Sequence, residues 1–113
     1  MQNIGGIVVK KEINYLVDMY RDSYYPDFLV DKVKETIKAV VHFLETETYT
    51  TESVQQKLDE MTDKINDLTE EFYAHDSDIE TVARESIADT VFLLLEAYQV
   101  NIDLEEAIRN RDW

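Results

Sequence analysis

The chain has 113 residues, of which 44% are hydrophobic and 32% charged, and this balance predicts one globular domain with a single core. Its 11 basic residues against 25 acidic ones give a formal net charge of −14. Because such a surface repels phosphate groups, we expect no direct binding to nucleic acid or to an anionic membrane. The absence of cysteine excludes disulfides, thiolate metal ligands and a cysteine nucleophile.

The chain contains only two glycines and one proline, which are too few turn residues for a sheet-rich fold and favour long helices. An apolar stretch precedes Lys10 and Lys11, whereas a signal peptide has its basic residues first. The longest apolar run, residues 91–95, is too short to cross a bilayer. We therefore expect a cytoplasmic protein.

The first two elements in chain order are a short helix and a long one. Ile13, Leu16, Val17 and Tyr20 predict the short helix. The long helix begins at Tyr25-Pro26-Asp27, because proline suits a first helical turn and the Asp27 carboxylate can cap it. Its apolar residues recur every three or four positions: Val30, Val33, Ile37, Val40 and Leu44. Residues 45–50 form the predicted connector.

A second long helix follows, with Thr50 or Thr51 as its predicted cap and Glu52 in its first turn. Its apolar residues are separated by polar ones, which predicts an amphipathic helix with a narrow apolar seam. These residues are Val54, Leu58, Met61, Ile65, Leu68 and Phe72.

A third long helix is predicted from Ser77, which forms a capping-box pattern with Glu80. Its apolar positions are Ile79, Val82, Ala83, Ile87, Val91, Leu94 and Tyr98. Beyond Ser86 it is apolar on nearly every side, so we expect it to be the most buried helix, at the centre of the fold.

A second capping-box pattern, Asp103 to Glu106, opens a last short helix. The predicted fold is therefore all-α: a single-domain antiparallel helical bundle over residues 1–113, with three long helices and short helices near both ends.

Acidic residues concentrate in the second half of the chain, where residues 51–113 carry 17 acidic and five basic side chains. Such a surface attracts a basic protein partner and speeds the encounter, although solubility alone is the simpler interpretation. The candidate partner-binding residues are Asp59, Glu60, Asp63, Asp67, Glu70, Glu71, Tyr24 and Tyr25.

The two tyrosines belong to a dense aromatic cluster with two alternative roles. Aromatic rings are enriched at binding surfaces, but they also seal the end of a helical bundle around a loop, and we favour the sealing role. The cluster comprises Tyr15, Tyr20, Tyr24, Tyr25 and Phe28.

No cofactor or metal site is predicted. Di-iron bundles use Glu-x-x-His pairs, but Ala39 precedes His42 by three residues and Phe72 precedes His75. A rival hypothesis is an enzyme or metal-dependent protein with a core site built from His42, His75 and nearby carboxylates. A homo-oligomer is a further alternative, because narrow seams leave apolar surface for a second copy.

Three segments carry a family resemblance: residues 19–28 with their Tyr-Tyr-Pro-Asp run, residues 75–88, and the closing Arg-Asp-Trp of residues 111–113. They resemble a small bacterial family of uncharacterised all-helical proteins, and the likeness covers nearly the whole chain. The resemblance implies a bacterial, cytoplasmic, single-domain protein. It assigns no activity and no functional residue.

The leading hypothesis for function is a non-catalytic helical protein that binds another protein through its acidic surface. A sharper alternative is an immunity protein or antitoxin that neutralises a basic toxin, because small size, high acidity and a rigid helical scaffold suit that role.

Overall fold

The computed structural model describes residues 12–113, and within them it contains five α-helices and no strand. The helices are α1 (Val17–Arg21), α2 (Asp27–Thr46), α3 (Thr51–Ala74), α4 (Thr81–Ala97) and α5 (Leu104–Ala107). The prediction of an all-α fold with three long helices and a short helix toward each end is confirmed.

Helices α2 and α3 form an antiparallel hairpin joined by residues 47–50. Lys32, near the start of α2, forms an ion pair with Glu71, near the end of α3, at 2.7 Å between Nζ and Oε1. At the other end of the hairpin the Lys57 ammonium of α3 lies 5.5 Å from the ring centroid of Phe43 on α2. The predicted apolar residues of both helices are buried between them, except Leu68, which is half-buried.

The N-termini of α2 and α3 are capped differently. Thr50 caps α3, as predicted: its hydroxyl accepts from the Ser53 amide at 3.1 Å, and the Ser53 hydroxyl accepts from the Thr50 amide at 2.9 Å. Helix α2 begins after Pro26 and has no side-chain cap. The predicted capping role of Asp27 is therefore wrong, because Asp27 is the first helical residue, where its carboxylate favours the positive end of the helix dipole.

Helix α4 runs parallel to α2, because contacts join the two starts and the two ends. The Ala83 amide donates to the Tyr25 hydroxyl at 3.2 Å, and the Tyr98 hydroxyl donates to Glu45 at 2.5 Å. Helix α4 is the most buried of the three long helices, as predicted, with seven of 17 residues buried against seven of 20 in α2 and six of 24 in α3. The prediction that it lies at the centre of the fold is wrong, since Phe92 and Leu93 are 48% and 44% exposed. Its helical neighbours are mainly α1 and α5, which are too short to cover all its sides.

Helix α3 ends in a Schellman motif, the 6→1 hydrogen-bonded turn that closes many helices. Asp76 takes the left-handed conformation at φ 59°, and the Ser77 amide donates to the Phe72 carbonyl at 2.8 Å. Ser77 therefore closes α3, and the predicted capping box from Ser77 to Glu80 is wrong. Helix α4 starts at Thr81, after Glu80, without a side-chain cap.

Helix α4 ends in the same way. Gln99 is left-handed at φ 54°, and the Val100 amide donates to the Leu95 carbonyl at 2.9 Å. Glycine is the usual residue at such positions because it has no Cβ, whereas a non-glycine residue costs about 1 kcal/mol or more there. Both turns are therefore held in place by the helices that they connect.

Helix α1 begins later than predicted, at Val17, because Leu16 is itself left-handed at φ 53°. The Leu16 side chain is fully buried, and its amide donates to the Thr90 hydroxyl on α4 at 3.0 Å. Thr90 in turn donates to the Ser86 carbonyl at 2.8 Å. The Leu16 amide has no carbonyl partner within α1, because it lies at the start of the helix. The buried Thr90 hydroxyl accepts its hydrogen bond and so joins the start of α1 to α4.

We predict that Thr90→Val destabilises the protein by about 1–3 kcal/mol, because the isosteric side chain leaves the buried Leu16 amide without an acceptor. Thr62→Val is the matched control. Thr62 is equally buried on α3, but within residues 12–113 its hydroxyl bonds only the Leu58 carbonyl of its own helix. Urea unfolding of both variants measures the difference, and equal losses would contradict the role given to Thr90.

Candidate functional site

The acidic residues predicted on α3 differ in what they contact. Asp59 is bound by Arg109, which donates from Nη2 to Oδ2 at 2.8 Å and from Nε to Oδ1 at 3.2 Å. Gln55, one turn earlier on α3, donates to Asp59 at 3.0 Å and to the Glu106 carbonyl at 2.9 Å. The Asp59 side chain is only 21% exposed. Asp59 therefore fastens residues 105–112, which we call the 105–112 strap, to α3.

Further hydrogen bonds join the strap to α3 at successive turns of the helix. The Asn110 side chain donates to Asp63 at 3.2 Å, and the Asn66 side chain donates to the Asn110 carbonyl at 2.9 Å. The Asp112 amide donates to Asn66 at 3.1 Å. The α3 positions 55, 59, 63 and 66 lie on one helix face, so a single polar stripe receives the strap.

Two more of the predicted acids pair with lysines. Glu71 binds Lys32 of α2, and Glu60 lies 3.4 Å from Lys57, three residues earlier on the same helix. Asp67 and Glu70 are exposed and have no described hydrogen bond or ion pair with residues 12–113. Of the predicted set on α3, these two carboxylates are the ones most available to a partner.

Arg109 also shapes the electrostatics of Asp59. Burial raises the pKa of the Asp59 carboxyl, but hydrogen bonds from Arg109 and Gln55 outweigh that effect and hold it below the ordinary value. The hydrogen bonds that Arg109 donates to Asp59 and Glu106 raise the pKa of its guanidinium. The charged pair is thus favoured in the folded state. This pair is not predictable from the sequence pattern, because Asp59 and Arg109 are 50 positions apart in the chain.

The two candidate tyrosines lie at the start of α2. Tyr25 is 2% exposed, so its ring belongs to the core and is not accessible to a partner. Its hydroxyl accepts from Ala83, and burial raises its pKa above the ordinary value. Tyr24 is 40% exposed, packs edge-on against Tyr25 at 5.0 Å and donates to Glu80 at 3.0 Å. Both rings join the loop before α2 to the start of α4.

The two histidines do not meet. His75 packs edge-on against the ring of Phe28 at 4.9 Å, and its Nδ1 lies 3.0 Å from the Glu71 carbonyl. His42 is 14 positions from Phe28 on the same helix, which at 1.5 Å per residue is about 21 Å away. Both are exposed, so the rival core site built from both histidines is wrong. No cluster of three metal-ligating residues lies within residues 12–113.

Comparison with known proteins gives one finding. A model of a family of unknown function, DUF5713, matches residues 9–113. The chain belongs to this family. The predicted resemblance to a family of unknown function is thereby confirmed, and the matched span contains all five helices. No curated protein and no solved structure matches the chain.

Within residues 12–113, no helix combines the length and the apolar content that crossing a bilayer requires.

We predict that Arg109→Gln destabilises the protein near neutral pH and that this loss disappears in acid. Because the folded pKa of Asp59 is lowered, the stabilisation is fully present above the ordinary carboxyl pKa of about 4 and is lost as pH falls through the folded value. Urea unfolding from pH 7 to pH 3 measures the gap between wild type and variant.

The control is Arg84→Gln, since Arg84 bonds the Thr81 hydroxyl and forms no ion pair within residues 12–113. Its stability gap should stay constant across the same pH range. A gap for Arg109→Gln that persists unchanged to pH 3 would show that Asp59 does not carry the effect.

Proposed function

We propose that the protein is a non-catalytic binding protein of the bacterial cytoplasm that captures a basic protein partner through its acidic surface. One observation carries the proposal. All 25 acidic residues lie within residues 12–113, yet the ion pairs described there engage only six of them. The remaining carboxylates together produce a negative electrostatic potential around the protein, because no described ion pair neutralises them.

The contacts of α3 divide its carboxylates into two groups. Asp59, Asp63 and Glu71 hold the strap and α2, so replacing them would disturb the fold as well as any partner. Asp67 and Glu70 are exposed and form no such contact within residues 12–113. Their replacement therefore isolates the electrostatic contribution of this face to binding.

The field acts mainly on the rate of encounter. Charges at the rim of an interface accelerate association and make it sensitive to salt, whereas close apolar contacts govern dissociation. The proposal therefore specifies a partner that associates fast at low ionic strength and more slowly as salt screens the acidic surface.

We predict that affinity capture from the native host retains a basic protein at low salt and loses it at high salt. With that partner, Asp67→Asn/Glu70→Gln should slow association roughly two- to five-fold at low salt and leave dissociation nearly unchanged. The charge-conserving variant Asp67→Glu/Glu70→Asp is the control and should behave as wild type. If capture retains no salt-sensitive basic protein, the proposed function is wrong.

A narrower form of the proposal is an immunity protein or antitoxin whose partner is a basic toxin. It is supported by the same uncompensated acidity on a small helical scaffold. We expect co-expression to protect cells from a toxin encoded beside the gene, and surface plasmon resonance to detect the complex. Failure to protect against every neighbouring candidate would remove this form and leave the broader one.

A further inference from the structure

Helix α4 exposes apolar residues that its composition predicts to be buried. In the apolar run from residue 91 to residue 95, Val91, Leu94 and Leu95 are buried. Phe92 and Leu93 are 48% and 44% exposed, and they stand side by side on the outside of the helix. We call these two residues the α4 ridge. Single exposed apolar side chains are common on protein surfaces and need no explanation. Two large ones in consecutive positions form an apolar patch, which does.

One side of the ridge borders a cleft between α1 and α4. This cleft has a volume of about 230 Å³, and Leu93 lines it together with Val17, which is 39% exposed. Asp18 of α1 and Asp89 of α4 line the same cleft. An apolar side chain entering here would contact Val17 and Leu93 and would lie next to two carboxylates.

The other side of the ridge borders a second cleft, between α4 and the segment that leads into α5. Its volume is about 480 Å³. Phe92 lines it with further apolar side chains: Leu95, Val100, Ile102 and Leu104. Glu96 and Asp103 are the charged residues in its lining. The ridge thus separates two clefts, each of which has apolar side chains and two acidic side chains in its lining.

The charges around these clefts are of one sign. No lysine or arginine from residues 12–113 lines either cleft, and none of the four carboxylates joins a described ion pair. The groove between α2 and α3 differs, because Lys32 and Lys64 are part of its lining. The clefts beside the ridge are therefore a surface on which exposed apolar side chains lie next to carboxylates without a described ion pair.

The dimensions indicate the shape of the occupant. The part of α4 from Asp89 to Glu96, which contains the ridge, covers two helical turns, about 10 Å along the helix. An amphipathic helix presents apolar side chains at i, i+3, i+4 and i+7 over a similar length, with the residues beside them facing the rim. Lysines or arginines at those flanking positions would lie opposite the four carboxylates.

We propose that the two clefts beside the α4 ridge bind a basic amphipathic helix of the partner, with Phe92 and Leu93 as the central apolar contacts. This inference rests on the proposed function, and it locates the short-range contacts on α4. The acids of α3 act at longer range on the same encounter. This assignment of short-range contacts to α4 and long-range attraction to α3 follows the usual pattern, in which a few residues buried at an interface provide most of its affinity.

The test uses a synthetic helix-forming peptide of about 18 residues, with leucines at i, i+3, i+4 and i+7 spacing and lysines elsewhere, and a shuffled peptide of the same composition. Both peptides carry the same charge, so attraction to an acidic protein alone binds them equally. We expect the full-length protein to bind the amphipathic peptide about tenfold or more tightly than the shuffled one, as measured by fluorescence anisotropy.

The variant Phe92→Ser/Leu93→Ser should abolish this preference, mainly through faster dissociation, while the salt dependence of binding is kept. Phe28→Ser is the matched control, because Phe28 is 47% exposed on α2 beside His75, away from the ridge. It should bind as wild type. Both variants replace exposed side chains, and circular dichroism verifies that the helices remain.

A photo-crosslinking amino acid at position 93 identifies the occupant directly. Crosslinks to the amphipathic peptide, and to the basic host protein where capture has retained one, support the proposal. Crosslinks in the isolated protein to a second copy, or to the chain's own residues 1–11, would overturn it, as would a preference that survives Phe92→Ser/Leu93→Ser. If Phe92→Ser/Leu93→Ser still captured the basic host protein in a salt-sensitive way and as strongly as wild type, binding at the α4 ridge would be wrong and the proposed function would stand.

Discussion

The apolar seam between α2 and α3 is the contact on which the other elements depend. Its two faces meet because both helices repeat apolar residues every three or four positions, and the short connection makes them antiparallel. Helix α4 is then placed against the hairpin from both ends, through Tyr25 at one and Tyr98 at the other. The 105–112 strap is bound to the outer polar face of α3. Helix α4 and the strap are thus both attached to the α2–α3 hairpin, and α1 is attached mainly to α4.

Few cations are available, and several of them join separate elements. Arg109 connects the strap to Asp59, and Lys32 connects α2 to the end of α3. Isolated surface ion pairs contribute little, but Arg109 binds with two nitrogens and lies beside further hydrogen bonds from Gln55 and Asn66. The acidic excess on which the proposed partner binding rests is what remains after these structural uses.

Periodicity was sufficient to predict α2 and α3, because each has one apolar face and a polar remainder. It failed at α4, whose residues 91–95 are all apolar, since composition does not show which sides the neighbouring helices cover. The Ser77 pattern misled because its residue types match a capping box, whereas the chain at Ser77 is still completing the turn that ends α3, and no glycine marked that turn at Asp76. For the candidate site, the sequence located the carboxylates but not their partners: Asp59 and Arg109 meet only in the folded chain.

The uncompensated carboxylates have a consequence for how the protein responds to its ionic surroundings. Self-repulsion among like charges opposes the compact state, and added salt screens it, so moderate salt stabilises the fold. The same screening weakens attraction to a basic partner. Stability and association therefore change in opposite directions with ionic strength. At high ionic strength the protein would therefore be more stable but would bind a partner of the proposed kind more slowly, and at low ionic strength both effects would be reversed.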